Sequence, residues 1–204
     1  MYEEGSNSVK EGIASEDLFV KTSKKYFWNT RPGTKENNMY DHIDYFMECG
    51  TISLAIDVKA QRRANRKDPN ASPNFTWIKL QNVAGGKGSL YGKADYLFLE
   101  YWKDKNGQLV GKYLGFPRDL LRRFIEQKVQ LLNNPKRINN ADLLEFEAYQ
   151  RDGNKDIIVK VTYDTLRYFA RNIDSNESLQ MLYFDIFICY SCDRLRPSLR
   201  LVDS

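Results

Sequence analysis

Asp57 and Lys59 stand two residues apart in the stretch ISLAIDVKAQ. A β-strand sends successive side chains to opposite faces. A strand here groups Ile52, Leu54, Ile56 and Val58 on one face and Ser53, Ala55, Asp57 and Lys59 on the other. The apolar face belongs to the core. Asp57 and Lys59 then share the second face, about 7 Å apart along the strand. Such a pair can be a plain surface ion pair, which contributes little to stability. It can also hold a hard divalent cation on the carboxylate while the lysine orients water and offsets phosphate charge, the requirements of phosphodiester hydrolysis. Ser53 and Ala55 are small and leave room on that face.

Two further acids complete a candidate constellation. Asp44 precedes a short apolar segment, Tyr45-Phe46-Met47, which reads as a strand entering a hairpin through Glu48-Cys49-Gly50-Thr51. If Met47 pairs with Ile52, Asp44 lies opposite Ala55, on the face of Asp57 and one diagonal away. A one-residue slip would send it to the core face. Asp41, three residues earlier, competes for the same role. Glu16 sits in a helical pattern from Val9 to Phe27, where Val9, Ile13, Val20 and Phe27 form a stripe. An acid on that stripe is either solvated at its edge or buried beside a partner such as Lys59 or a metal. The single histidine, His42, has a supporting or surface role in this reading.

The remaining elements must hold these residues in place. Residues 29–38 read as a polar loop. Phe75–Val83 and Asp95–Trp102 read as strands, separated by the glycine-rich AGGKGSLYG. Gln108–Phe116 closes a second hairpin, and a helix begins at Pro117 and runs to about Leu132. Ala141–Gln150 is a short helix or strand, Asp156–Tyr163 a strand, Asp164–Asn172 a helix and Ser178–Tyr190 an apolar strand. The expected architecture is α/β: a mixed central sheet of four to five strands flanked by helices. Residues 1–132 form its core, with 133–204 as a C-terminal elaboration packed on the same domain.

The stretches GIASEDLF, YDHIDYFM and ISLAIDVKAQ, followed by WIKLQNVAGGKGSLYGKADYLFLEY, carry a family resemblance. Over roughly residues 9–130 the chain resembles the PD-(D/E)XK nuclease superfamily, within it the Holliday-junction-resolvase-like and phage-type endonucleases. The resemblance implies a restriction-endonuclease-like core and Mg²⁺-dependent cleavage of DNA, with Mn²⁺ able to substitute. The expected substrate is branched DNA in phage or cellular recombination and repair, with a homodimer as a suitable assembly. It makes Asp44 and Asp57 metal ligands, Glu16 an assisting acid at the metal, and Lys59 the catalytic lysine. Gln61 is the polar residue often found after that lysine. Two positions depart from the common pattern: Ile43 replaces proline before Asp44, and Asp57 replaces the more frequent glutamate.

Arg62, Arg63, Arg66 and Lys67 follow the motif strand and, with Gln61 and Lys87 of the glycine-rich segment, are the candidate nucleic-acid contacts. Lys93 lies near them. Arg118, Arg122 and Arg123 read as an outer solvated face of the second helix. The net charge of +4 permits a polyanionic partner without requiring one. The 13% aromatic content is foremost core material.

Three cysteines, Cys49, Cys189 and Cys192, form neither a disulfide framework nor a four-ligand zinc site in this reading. No signal peptide or membrane span is legible, so a cytoplasmic protein is expected, in the host cytoplasm if phage-encoded. The alternatives are a catalytically silent DNA-binding or structural module on the same fold, and a restriction-type or RNA-directed nuclease. Phosphodiester chemistry is common to all the active forms.

Overall fold

The computed structural model describes residues 7–25, 28–61, 74–100, 112–131, 144–150, 153–171 and 182–183. Helix α1 (Asn7–Lys25) leads into strand β1 (Asn29–Pro32), a π-helical turn (Asn37–Asp41), β2 (Tyr45–Cys49) and β3 (Ile52–Lys59). Then come β4 (Phe75–Gln81), a 3-10 turn (Ser89–Tyr91), β5 (Tyr96–Glu100), β6 (Tyr113–Pro117) and α2 (Arg118–Lys128). The chain continues through β7 (Gln130–Leu131), β8 (Glu147–Gln150), β9 (Ile157–Thr162), α3 (Tyr163–Arg171) and β10 (Leu182–Tyr183).

The strands form two mixed sheets rather than the one expected. The larger has the order β1-β2-β3-β5-β6-β10, and the smaller β4-β9-β8-β7. In the larger sheet β3 and β5 are parallel and the other pairs antiparallel. Strand β4 leaves the sheet that holds its sequence neighbours and pairs with β9, drawing a strand from each side of residue 132 into one sheet. Residues 29–32, expected to be loop, form an edge strand because their backbone pairs antiparallel with β2.

Period-two alternation builds two cores on the two faces of the larger sheet. Ile56, Val58, Tyr96 and Phe98 face α1, with Phe19 packed among them and the Phe19 ring 5.1 Å from Phe98. Leu97, Leu99, Leu114 and Phe116 face the other way. They meet Leu121 and Ile125 of α2, Leu166 of α3, and Ile78, Val159 and Val161 of the smaller sheet.

The buried side of α1 is not the expected one. Ser15, Phe19, Thr22 and Ser23 are buried, whereas Ile13 is exposed. Small polar residues let the helix approach the sheet closely around a single large ring. Among the described residues, no helix is long and apolar enough to cross a membrane.

Candidate active site

The β2–β3 hairpin turns in two residues, with Gly50 at φ +60°, a left-handed value that favours glycine. The shorter turn moves the register by two residues from the expected one: Met47 pairs with Leu54 and Tyr45 with Ile56. A shift of two preserves the face. One step beyond β2, Asp44 therefore comes level with Asp57. Its backbone N–H donates to the Ile56 carbonyl (2.8 Å), and its Oδ2 accepts the Val58 N–H (2.8 Å). Asn38, in the π-helical turn, donates to the other oxygen.

The face carrying Asp57 is not open. Asp57 is fully buried, and its two oxygens are held from opposite sides. Lys59 Nζ donates to Oδ1 and also lies 3.9 Å from Asp44 Oδ2. Arg118 Nη2 donates to Asp57 Oδ2 at 3.2 Å. Asp44, Asp57 and Lys59 thus meet at the C-terminal end of β3.

Burial, the largest cause, works against the Lys59 ammonium, but Asp57 and Asp44 outweigh it and hold its pKa above the ordinary lysine value. Burial pushes the Asp44 carboxyl up to about 6; Lys59 opposes this and Asp57 adds to it. Glu16 is carried by α1, which is pinned beside it by a hydrogen bond from the Tyr113 hydroxyl to the Ser15 carbonyl (2.6 Å). Its carboxyl is raised to about 7 by burial and by Asp44, with Lys59 opposing and Asp57 adding. The structure thus brings three of the four expected catalytic residues into contact and places Glu16 within electrostatic range of them.

Asp41, the competing acid, is engaged elsewhere. Its carboxylate pairs with Lys93 (2.9 Å), which holds it below the usual carboxylate range. His42, at φ 53°, turns the chain between Asp41 and Asp44, and burial lowers the pKa of its ring. Gln61 is buried, and its backbone N–H donates to the Glu100 carboxylate (3.2 Å), so it offers no surface to a nucleic acid. Lys87 is exposed, as a phosphate contact requires. Arg62, Arg63, Arg66 and Lys67 lie outside the described residues, as do Cys189 and Cys192. Cys49 is buried and disulfide-bonded, against the expectation that the cysteines form no disulfide framework.

Arg118 was missed by the sequence reading, which assigned it to a solvated face. It is 3% exposed. Of its neighbours in that basic cluster, Arg123 is exposed, while Arg122 is half-buried and pairs with Asp119 (3.4 Å). The available signal was position: a cation on the first residue of a helix opposes the helix dipole and needs another reason to be there.

A hard divalent cation fits the chemistry of this donor set. Asp44 and Asp57 meet here and Glu16 lies within electrostatic range of them; burial and crowding raise the pKa values of Asp44 and Glu16, and all the ligand atoms are oxygen. Yet among the described residues no three His, Cys, Asp or Glu side chains are spaced to hold an ion. Arg118 and Lys59 occupy Asp57, while Val58 and Asn38 occupy Asp44. Asp44 and the Lys59-facing oxygen of Asp57 are the atoms that would take a cation. No protein-family model, curated protein or solved structure matches the chain.

Proposed function

We propose that this protein is a Mg²⁺-dependent endonuclease that hydrolyses DNA phosphodiester bonds, with branched DNA as its expected substrate. The observation that carries the reading is the meeting of Asp44, Asp57 and Lys59 at one strand end, with Glu16 within electrostatic range of them. Asp44 and Asp57 would hold the metal, which when bound supplies Lewis-acid activation of water and phosphate. Lys59, held as an ammonium by the two aspartates, acts as a positive donor that orients water and offsets phosphate charge, not as a base. Glu16, with a carboxyl near 7, is placed to exchange a proton near neutral pH. Exposed Lys87 and the basic segment after β3 would contact the backbone of the nucleic acid.

The test is cleavage of four-way junction, flap, single-stranded and linear duplex DNA, each with Mg²⁺ and with EDTA. Wild type is expected to cut in Mg²⁺ alone, and Lys59→Ala to lose about 10³-fold in rate. Wild-type rates from Lys59→Ala would overturn the assignment. A second reading, a non-catalytic nucleic-acid-binding module, is favoured by one observation: both oxygens of Asp57 are already neutralised by the protein's own cations. DNA binding without cleavage on all four substrates would select it.

A further inference from the structure

We propose that Arg118 is a positioning residue for Asp57: it takes one carboxylate oxygen out of play and leaves the other aimed at Lys59 and Asp44. In doing so it joins the glycine-rich segment and the approach to Asp44 into one rigid unit around the site. The inference rests on the hydrolytic reading of Asp44, Asp57 and Lys59.

The guanidinium gathers acceptors from four separate places in the chain. Nε donates to the Ala94 carbonyl (2.8 Å), Nη1 to the Ser89 carbonyl, and Nη2 to both the His42 carbonyl (3.4 Å) and Asp57 Oδ2 (3.2 Å). Ser89 belongs to the glycine-rich segment, Ala94 lies just before β5, and His42 lies two residues before Asp44. The planar fork makes this possible; a lysine in the same place has one nitrogen and cannot reach four fixed acceptors.

The surroundings are shaped to the guanidinium. A Cβ at Gly92 would lie 2.7 Å from Arg118 Nη1, 2.6 Å from the Asp41 carbonyl oxygen and 2.7 Å from the His42 Cβ, so only glycine allows this approach. Helix stability does not account for the arginine, because a cation at a helix start is disfavoured. Its reward is the pair with a fully buried carboxylate. With Oδ2 held, Asp57 would have only its remaining oxygen to offer a cation.

The pair itself is tested on the metal-free protein. In ¹⁵N-resolved spectra the Arg118 guanidinium should give sharp, slowly exchanging N–H signals. Asp57→Asn keeps the shape but removes the charge, and should shift those signals and speed their exchange about tenfold. Unchanged signals would overturn the proposal, and this arm stands even if every Arg118 variant fails to fold.

The positioning role is tested with Arg118→Lys, which retains the charge. Its kcat on the best cleaved DNA should fall about 10²-fold, with KM within about twofold of wild type. A wild-type kcat in Arg118→Lys would overturn it. A wild type that cleaves no DNA, with the guanidinium signals still responding to Asp57→Asn, would sink the hydrolytic reading while supporting the clamp.

Discussion

Among the described residues two helices begin directly after a strand. Each has an Asp in its first turn paired with an Arg three residues on, but the two starts are capped differently. At the start of α3 the Thr162 hydroxyl accepts the Thr165 N–H (3.2 Å), an N-cap. Glu145 reaches across to accept the Thr162 N–H (2.7 Å) and the hydroxyls of Thr162 (2.9 Å) and Thr165 (2.8 Å). Asp164 adds an acid in the first turn, as Asp119 does in α2. Every charge there suits the positive end of a helix dipole. The start of α2 has no side-chain cap, and its first residue is a buried arginine. One junction is organised for the helix; the other is organised around Asp57. Charge placed against local stability is where sequence and structure point to function.

The largest effect should come from breaking the second junction. Asp57→Ala removes the carboxylate paired with Arg118 and leaves a buried guanidinium with backbone carbonyls alone. Stripping one partner from a buried pair costs about 3–5 kcal/mol. Urea denaturation should show that loss, and adding Arg118→Met to Asp57→Ala should restore much of it. A loss below about 1 kcal/mol, the scale of an exposed pair, would erase the contrast between the junctions.

A smaller effect should appear as a pH dependence. The Glu16 carboxyl is raised from an ordinary 4.5 to about 7, chiefly by burial and then by Asp44. The folded state therefore binds its proton more tightly than the unfolded state does. The contribution of Glu16 to stability is fully present below pH 4.5 and is lost as pH rises through about 7. Asp44, raised from 3.8 to about 6, acts in the same sense at lower pH. Glu16→Gln should remove its share, so at pH 8 without metal the variant should exceed wild type by about 1–2 kcal/mol, the full shift discounted for solvent screening of a half-buried group. At pH 4.5 the two should nearly coincide. Equal urea midpoints for both proteins at pH 8 would show that Glu16 is not crowded by the site.

Legibility followed the range of the interactions. Period two alone placed Asp57 and Lys59 on one face, because strand alternation is local. It also identified the hairpin but not its register, since a two-residue turn and a four-residue turn fit the same apolar pattern. The error was even, so Asp44 kept its face. The buried side of α1 was illegible because Ser15, Thr22 and Ser23 carry no hydrophobic signal. The departure of β4 to pair with β9 was hidden for a different reason: nothing within Phe75–Gln81 states which distant strand will accept its hydrogen bonds. Arg118 was read together with Arg122 and Arg123 as a basic face, although it alone follows Pro117 at the helix start. The closing of the Asp57 face by Arg118 could not be inferred before β3 and the start of α2 were placed side by side.

The smallest effect should come from the junction built for stability. Glu145→Gln keeps an acceptor for the Thr162 and Thr165 groups but removes the charge that favours the start of α3. The Thr162 cap on the Thr165 N–H does not involve Glu145 and should survive. A loss of about 0.5–1 kcal/mol is expected, a dipole and charge-assisted hydrogen-bond contribution at a half-buried site. Its urea midpoint should fall slightly, and DNA cleavage should remain at the wild-type rate. That rate is the sharper measurement, because Arg118→Lys and Glu145→Gln are both single conservative changes at strand-to-helix junctions. If both slowed cleavage equally, general loosening of the fold would explain each. If only Arg118→Lys did, the effect would lie in the hold on Asp57.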